Sequence, residues 1–554
     1  MLPHSKQVVK IPCHRAIDCI EQLLTNPKLS KDDFQFHNED NPLAAPPDDL
    51  DYIGDCCTAA AYLKTYKKMA EEPDRLPNQL PTGVIIYIDG ATTGLFKEYT
   101  VTAVKISLSI FTQQARVRED TWATLGWIPR VKQAVSRGKE LFAKSGHMDA
   151  EDMDVILDGE GDQVEDETDQ TAGFYDIKAQ DFHKMLGVIL EDYVKLERTG
   201  VLFDFAYNKK LYKDVHFRLF TLFFKADTEE ANTLCARYKP GTRNIKQVCR
   251  TCHILTTDSD NHLYQVKYKT QTEISQLSEK SKMEQLRAMS QHQVKNATYD
   301  LSWHVANDRG IHDACPYEKL HSILLGIFMY CRQIFFYDVG KTAAVAAVIN
   351  GLSRRYGEII ARQSDRSLPN TNLIGGVLET AKYMANDHRG VLLLLAAVLT
   401  STKGRQLLGT KVKFRKDSKK DDWLLLVITL LQWEAYLCQP TMKKHHVKKM
   451  EKKNRYMMWM MKQVARREKR MGLKLYKFHG VLHLSSDILL FGVPMEFDTG
   501  CNESHHKATK QGAQRAQKNE RKFDIQVATR MYEYRVINLA IQEIEERIHV
   551  FDYY

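Results

Sequence analysis

An apolar segment that ends in a carboxylate is the feature that most constrains how this chain folds. Val84–Ile88 carries no charged side chain, and Asp89 and Gly90 follow it directly. Such a short run, with Gly on both sides, predicts a buried strand. Because burying an unpaired charge is costly, Asp89 must cap a turn, pair with a cation or help to hold a metal ion. For an isolated Asp-Gly, a turn or a helix cap is the commonest explanation.

The patterns that surround Asp89 predict a mixed α/β core. Alternating, β-branched or short apolar runs predict further strands, and apolar residues at helical spacing predict a helix before Gly200. The predicted strands are 84–88, 102–111, 122–129, 201–205 and 215–224, and the helix covers 181–198. This order is that of a ribonuclease-H-like core, a mixed sheet with flanking helices.

The chain of 554 residues is too long for one compact core, so several domains are expected. We predict that the core carries a Cys/His insertion, a large mostly helical insertion and a C-terminal region. The predicted segments are a helical N-terminal segment (1–80), the first part of the core with an acidic insertion at 149–170 (81–234), the Cys/His-containing insertion (235–315), a mainly helical region (316–475) and a C-terminal block that ends in a long helix (476–554).

Charge is unevenly placed along the chain, although the net charge is only +9. Residues 443–472 and 507–522 are densely basic, which is compatible with an anionic partner such as nucleic acid. A solvated helix face is the alternative. The segments 391–400 and 423–433 are about half the roughly 20 apolar residues that span a bilayer, so we expect no membrane segment. No secretory signal is recognised, and the eleven Cys residues follow no regular framework, which favours a reducing cell interior.

Three sets of side chains are candidates for chemistry. Asp89, Asp227 and a third acid could share a divalent cation at the ends of neighbouring strands, since magnesium prefers oxygen ligands. Cys249 and Cys252, followed by further His and Cys residues, are compatible with a tetrahedral zinc site, with unpaired buried thiols as the alternative. The third set is a C-terminal block, for which the pattern favours a buried polar network over a metal site: His479, His483, Asp498, Glu503 and His506.

The order of several motifs resembles that of a known group of transposases. "IYIDGATTGLFKEYTVTAVKISLSIF", "WATLGWIP", "FFKADTEEANTLC", "CRTCH" and "CPYEKLHSILLGIF" follow one another, and "KFHGVLHLSSDILLFG" and "DTGCNESHHKATKQGAQRAQ" come later. This series is similar to the Kyakuja–Dileera–Zisupton and Plavaka transposases, relatives of the CACTA superfamily of cut-and-paste DNA transposons. The resemblance covers about residues 50–545.

The resemblance implies an acidic catalytic triad in a ribonuclease-H-like core. Asp89 matches the first acid and Asp227 the second, although the Pro that follows the second acid in the family is missing here. Asp204 is the alternative second acid. Asp387 matches the third acid, with Glu379 as its alternative. Mg²⁺ or Mn²⁺ is the implied cofactor.

The resemblance also implies a zinc-binding insertion and a DNA partner. Cys249 and Cys252 match the family's C-x-x-C, and from the residue pattern we expect His304 and Cys315 to complete the zinc site. The implied enzyme is a nuclear endonuclease and polynucleotidyl transferase that acts on transposon ends, by analogy as a homodimer. A catalytically inactive DNA-binding derivative is the alternative, and a plain nuclease shares the metal site. The expected DNA-binding residues are Lys448, Lys449, Lys452, Lys453, Arg466, Arg467, Lys507 and Lys510.

Overall fold

The computed structural model describes most of the chain. The described residues are 2, 7–47, 49–73, 75–93, 99–129, 170–238, 245–304, 308–338, 343–360, 373, 376–378, 383–402, 405–406, 420–467, 472–517 and 522–551. Most of the predicted acidic insertion (149–169) and the predicted alternative acid Glu379 lie outside them. Within this part of the chain, no helix is both long and apolar enough to cross a membrane.

Five strands of the described chain form one mixed sheet in the order β4-β3-β2-β6-β5. β2–β3 and β3–β4 are antiparallel, β2 and β6 are parallel, and β6–β5 is an antiparallel hairpin. The mixed α/β architecture and all five predicted strands are confirmed; the ribonuclease-H-like fold stays a prediction. The strands are β2 (Gln79–Thr93), β3 (Tyr99–Leu108), β4 (Ala123–Ile128), β5 (Val201–Tyr207) and β6 (Lys210–Lys225), and the short strands β1 (Tyr52–Ile53) and β7 (Met442–Lys443) pair separately.

Helices cover both faces of the sheet and continue into a large helical region. In chain order they are α1 (Ala16–Leu24), α2 (Ala60–Ala70), α3 (Gln170–Thr199), α4 (Thr228–Leu234), α5 (Gln271–Glu279), α6 (Met283–Ala288), the π-helix α7 (Leu320–Phe328), α8 (Met329–Asp338), α9 (Ala343–Ile360), α10 (Ala385–Thr400), α11 (Lys420–Leu437), α12 (Lys444–Val464), α13 (Tyr476–Gly480), α14 (Leu484–Phe491), α15 (Gly500–Ser504), α16 (His506–Gln514) and α17 (Phe523–Phe551).

The alternation of side chains along β2 explains why the sheet is covered on both faces. Ile86 and Ile88 point into a cluster that includes residues of α1 and α3. Ile85 and Tyr87 point the other way, into a second cluster. Successive residues of a strand face opposite sides, so an uninterrupted apolar run needs partners on both.

The second cluster joins segments that are distant in sequence. It contains Tyr62 of α2, Cys249 of the Cys/His insertion, Val447 of the helical region and Phe478 of the C-terminal block. These four segments therefore share one buried core rather than each enclosing its own. The C-terminal block is thereby placed against the same face of the sheet as Tyr87.

Candidate functional site

The ends of the two parallel strands bring Asp89 and Asp227 to the same edge of the sheet. β2 and β6 are neighbours, and their register pairs Tyr87 with Lys225. Asp89 lies two residues after Tyr87, and Asp227 lies two residues after Lys225. The two carboxylates therefore lie just beyond the last pair of the parallel ladder: Asp89 is within β2, which continues to Thr93 beside β3, and Asp227 follows the end of β6.

The Asp89 carboxylate is in hydrogen-bonding contact with a tyrosine and a histidine. The residue is 9% exposed, and its Oδ2 accepts a hydrogen bond from the Tyr87 hydroxyl at 2.8 Å. The same oxygen lies 2.9 Å from Nε2 of His506, which begins α16. Burial, followed by the charge of Asp89, raises the pKa of Tyr87, so the hydroxyl stays protonated and donates. A tyrosine and a histidine thus compensate the carboxylate at the end of the strand.

Asp227 is the N-cap of α4. Its Oδ1 accepts a hydrogen bond from the backbone N–H of Glu230 at 2.7 Å. Burial raises the pKa of Asp227, and the charge of Asp89 raises it further, while His321 acts in the opposite direction. Asp89 is therefore close enough for its charge to act on Asp227.

A third acid, Glu503, comes from the C-terminal block. Burial raises its pKa, and the charges of Asp89 and Glu318 add to this effect, whereas His321 opposes it. Glu503 Oε1 accepts a hydrogen bond from Thr499 at 3.2 Å and lies 3.8 Å from His321 Nε2. We call Asp89, Asp227, Glu503 and Glu318 the acid group.

His321 is the cation of the acid group and lies in the π-helix α7. Its Nδ1 is 2.9 Å from Glu318 Oε1. Burial alone would lower the pKa of His321, but the charges of Glu318, Asp227 and Glu503 outweigh it and raise the pKa to about 9. His321 is therefore protonated at neutral pH. A π-helical turn at such a position is typical of functional sites.

The other sequence-predicted acids have different surroundings. Asp387 accepts a hydrogen bond from the backbone N–H of Met384 at 2.6 Å and so caps the first turn of α10. Asp204 is exposed in the β5–β6 hairpin, where it accepts from the backbone N–H of Asp214. Asp214 and Asp227 lie at opposite ends of β6, which at about 3.3 Å per residue separates them by more than about 30 Å. The prediction that Asp204 replaces Asp227 is therefore wrong.

A Cys₂His₂ cluster forms a second site. The donor atoms of Cys249, Cys252, His479 and His483 all lie within 4.8 Å of one another, and all four side chains are buried. Cys252 Sγ lies 3.1 Å from His479 Nε2, and Cys249 Sγ lies 3.5 Å from His483 Nε2. Around a tetrahedral zinc ion with bonds of about 2.0–2.3 Å, donor atoms are about 3.3–3.8 Å apart, so this cluster can hold such a metal.

The protonation of the cluster favours a metal ion. Burial opposes ionisation of Cys249, but a hydrogen bond from Cys252 and the charge of His483 hold the pKa of the Cys249 thiol well below its usual range. Burial and the neighbouring Cys249 raise the pKa of Cys252. Zn²⁺ binds thiolates and neutral imidazoles, so its binding to this cluster would release the protons that the two thiols and the two imidazoles hold.

Two of the four predicted zinc ligands lie in this cluster. Cys249 and Cys252 belong to the cluster, but His304 and Cys315 do not. The His304 ring packs against Phe491 at 5.4 Å, and burial lowers its pKa to about 4. The free thiol of Cys315 is hydrogen-bonded to the free thiol of Cys235. Burial and this neighbouring thiol raise the pKa of Cys315.

The ligands that sequence reasoning misses are His479 and His483. Their i, i+4 spacing is visible in the sequence, but the pattern of the C-terminal block favours a polar network. From the sequence, the C-x-x-C is instead combined with His304 and Cys315, which are closer to it along the chain. Asp498, also of the C-terminal block, is half-buried, and its Oδ1 accepts a hydrogen bond from the backbone N–H of Gly500 at 2.9 Å. The block is thus divided between the metal cluster and the acid group.

The predicted DNA-binding residues that the structure describes lie on surface segments. Lys448, Lys449, Lys452 and Lys453 are exposed along α12, and Lys507 and Lys510 are exposed on α16, the helix that begins with His506; Arg466 is exposed and Arg467 is half-buried just after α12. Comparison of the sequence with known protein families finds no match, and comparison with curated proteins finds none.

Proposed function

We propose that this protein is a DNA transposase, or a domesticated copy of one, that cleaves and joins DNA at the acid group. The observation that carries the proposal is the convergence of Asp89, Asp227 and Glu503. Asp89 and Asp227 each lie two residues beyond the last pair between the parallel strands β2 and β6, and Glu503 comes from a segment that is remote in sequence. Like charges held together by the fold are the usual arrangement for binding divalent cations. Glu503 takes the place that the sequence assigns to Asp387.

The acid group has the donor type that Mg²⁺ or Mn²⁺ prefers. Its oxygens do not form a cluster as tight as the Cys₂His₂ site among the described residues. Glu503 would have to leave Thr499, and Asp89 would have to share its oxygen with His506, for both to reach one ion. A bound divalent cation supplies charge neutralisation and activation of the attacking oxygen in phosphodiester chemistry.

The chain's own side chains would position the DNA around the acid group. His506 orients the Asp89 carboxylate, and the protonated His321 balances the acids until the cation binds. The exposed Lys507 and Lys510 lie on the same helix as His506 and would contact phosphates. This function implies work in the nucleus and two copies that bring two DNA ends together. We assign the Cys₂His₂ cluster a structural Zn²⁺, since all four donor positions come from the protein.

Cleavage of DNA in the presence of Mg²⁺ or Mn²⁺ tests the proposal. The substrate is duplex DNA that carries the sequences flanking the coding region. We expect Asp227→Asn and Glu503→Gln each to reduce cleavage by a factor of about 100 or more, because the cation loses an oxygen ligand. Asp204→Asn is the matched control and retains activity, since Asp204 lies at the distant hairpin.

Equal cleavage by Glu503→Gln and the unaltered protein would refute the assignment of the third acid. Strand-transfer products separate a transposase from a plain nuclease.

A DNA-binding derivative without catalysis is the second candidate. The engagement of Asp89 by Tyr87 and His506, and of Asp227 by the α4 backbone, favours it, because these hydrogen bonds satisfy the acids without a cation. It predicts salt-sensitive DNA binding with no cleavage.

DNA binding through α12 is tested by replacing Lys448, Lys449 and Lys452 with Gln. Loss of three phosphate contacts lowers the slope of log K against log salt by up to about 3. Fluorescence anisotropy at several salt concentrations measures this slope. The control replaces Lys209, Lys210 and Lys213 of the β5–β6 hairpin with Gln. An equal decrease of the slope in the control would show that DNA does not bind preferentially at α12.

A further inference from the structure

A pocket separate from the acid group lies between the sheet and α17. Its volume is about 310 Å³, which is within the range of small-ligand sites. Gln22 of α1, Lys105 of β3, Trp127 of β4 and Arg535 of α17 contribute to its walls. Four elements that are distant in sequence thus enclose one concave surface.

The pocket is positively charged. Lysine and arginine outnumber acids in its lining, with Lys28, Lys105, Arg118 and Arg535 against Glu119 and Asp120. Arg118 is engaged by Asp33 at 2.9 Å and by Asp120 at 3.2 Å. Lys105 Nζ lies 3.6 Å from Glu119.

Arg535 differs from these cations. It makes no hydrogen bond or ion pair within the described part of the chain, although it is half-buried. Burial lowers its pKa. Gln22 Oε1, also in the lining, is buried without a hydrogen-bond partner among the described atoms. The guanidinium of Arg535 can donate to an anionic group of a ligand, and Gln22 Oε1 can accept from a donor such as the amino group of a base.

The remaining lining is aromatic. Trp122, Trp127 and Tyr532 line the pocket, but Trp122 and Trp127 are only 4% and 1% exposed. Tyr532 is exposed, and its ring stacks on His14 with centroids 5.6 Å apart. An exposed aromatic ring together with a guanidinium matches a ligand with a flat ring and a phosphate.

Trp122 connects this pocket to the acid group. Its ring centroid lies 6.1 Å from that of Tyr87, and the Tyr87 hydroxyl donates to Asp89. Lys225, which ends β6, lies over Trp122 at 5.6 Å. The pocket is thus about two side chains from Asp89.

We propose that this pocket binds a nucleotide, with the base against Tyr532 and the phosphate at Arg535. The nucleotide is either free or one unit of a DNA strand whose neighbouring phosphate lies at the acid group. The binding step itself does not depend on the proposed function.

Binding of dAMP, inorganic phosphate and a short single-stranded oligodeoxyadenylate to the full chain tests the proposal, with tryptophan fluorescence as the readout. We expect Arg535→Gln to weaken dAMP or oligonucleotide binding roughly tenfold or more. Arg530→Gln is the matched control: it removes the same charge from the same helix, but Arg530 is exposed and paired with Glu533 at 2.8 Å. We expect it to change binding by less than about twofold.

The outcomes are distinct. Binding of dAMP that Arg535→Gln weakens indicates a free nucleotide, and binding of the oligonucleotide alone, equally weakened, indicates a strand. The proposal is overturned if neither binds at about 1 mM, if phosphate alone binds as tightly, or if both variants behave alike. Absence of DNA cleavage with intact, Arg535-dependent binding removes the proposed function and leaves the pocket assignment.

Discussion

At the scale of single residues, His321 decides the electrostatics of the acid group. It is a histidine in contact with Glu318 and near Glu503, and the charge of Asp227 also acts on it. Without a cation at this position, three partly buried carboxylates would repel one another. The site therefore contains its own counter-charge, which a divalent cation would replace.

His321 predicts a specific pH dependence of stability. Its folded pKa is raised to about 9, above the unfolded value of about 6.5. Its stabilising contribution is therefore complete below about pH 6.5 and is lost as the pH rises through about 9. We expect His321→Gln to lower the free energy of unfolding by about 1–3 kcal/mol at pH 6 and by much less at pH 10. Urea unfolding at both pH values measures the difference.

His445→Gln is the control, since His445 is exposed on α12. It should change stability little at either pH. A destabilisation by His321→Gln that is equal at both pH values would contradict a protonated His321 and would leave only a packing role.

At the scale of the elements, two helical glycines differ in the space around them: Gly480 is tightly packed and Gly351 is not. Gly480 lies in α13 between His479 and His483 of the Cys₂His₂ cluster, and a Cβ at this position would overlap the ring of Tyr317. That ring is stacked on His483, with centroids 5.3 Å apart, and cannot move aside without disturbing the cluster. Gly351 lies in α9, where an added Cβ would meet no described atom within 4 Å.

Replacement of each glycine by alanine is therefore expected to have opposite effects. Gly351→Ala should raise stability by about 0.5–1 kcal/mol, because alanine has the higher helix propensity. Gly480→Ala should lower it by about 1–3 kcal/mol through overpacking, and should also weaken zinc binding. Thermal unfolding and zinc content measure both effects. A stabilising Gly480→Ala would show that Tyr317 yields and that the packing is loose.

At the scale of the whole molecule, the Cys₂His₂ cluster connects two distant parts of the chain. It joins the Cys/His insertion to the C-terminal block, and the same block continues to Glu503 and His506 of the acid group. A metal ion at the cluster stabilises only the folded state, where the four donors meet. The order of the acid group is thereby linked to the metal.

We predict one zinc ion per chain and a loss of stability when it is removed. If free zinc exceeds its dissociation constant about a thousandfold, it stabilises the fold by about 4 kcal/mol. Cys249→Ala should abolish zinc binding, as measured by elemental analysis, and should lower the unfolding temperature as much as a chelator does. Retention of zinc should fall at acidic pH, because the ligands must be deprotonated.

Two other buried cysteines serve as controls. Cys331→Ala and Cys315→Ala should both retain zinc, since neither belongs to the cluster. Loss of zinc in Cys315→Ala, with zinc retained in His483→Ala, would restore the ligand set that the sequence suggests.

Much of the local structure is predictable because it depends on neighbouring residues. The apolar run before Asp89 needs two covered faces, which places it in the middle of a sheet, and the alternation in 102–111 marks its antiparallel neighbour. The adjacency of Asp89 and Asp227 is expected if their strands are neighbours in the sheet, and the parallel pairing of β2 with β6 provides it. The role of Glu503 is not predictable in this way, since one acid in a polar block has no periodic pattern. The resemblance makes Asp387 a candidate, and in the structure Asp387 caps the first turn of the apolar helix α10.

The sequence by itself determined the strands, the core-facing residues and half of the metal cluster, because hydrophobic period and C-x-x-C spacing are properties of short segments. Only the tertiary structure decided which remote side chains complete each site. His479 and His483 reach Cys249 and Cys252, and Glu503 approaches Asp89, because the C-terminal block packs on the face of the sheet that Tyr87 occupies. Such contacts depend on how whole elements pack, and no short stretch of residues records them.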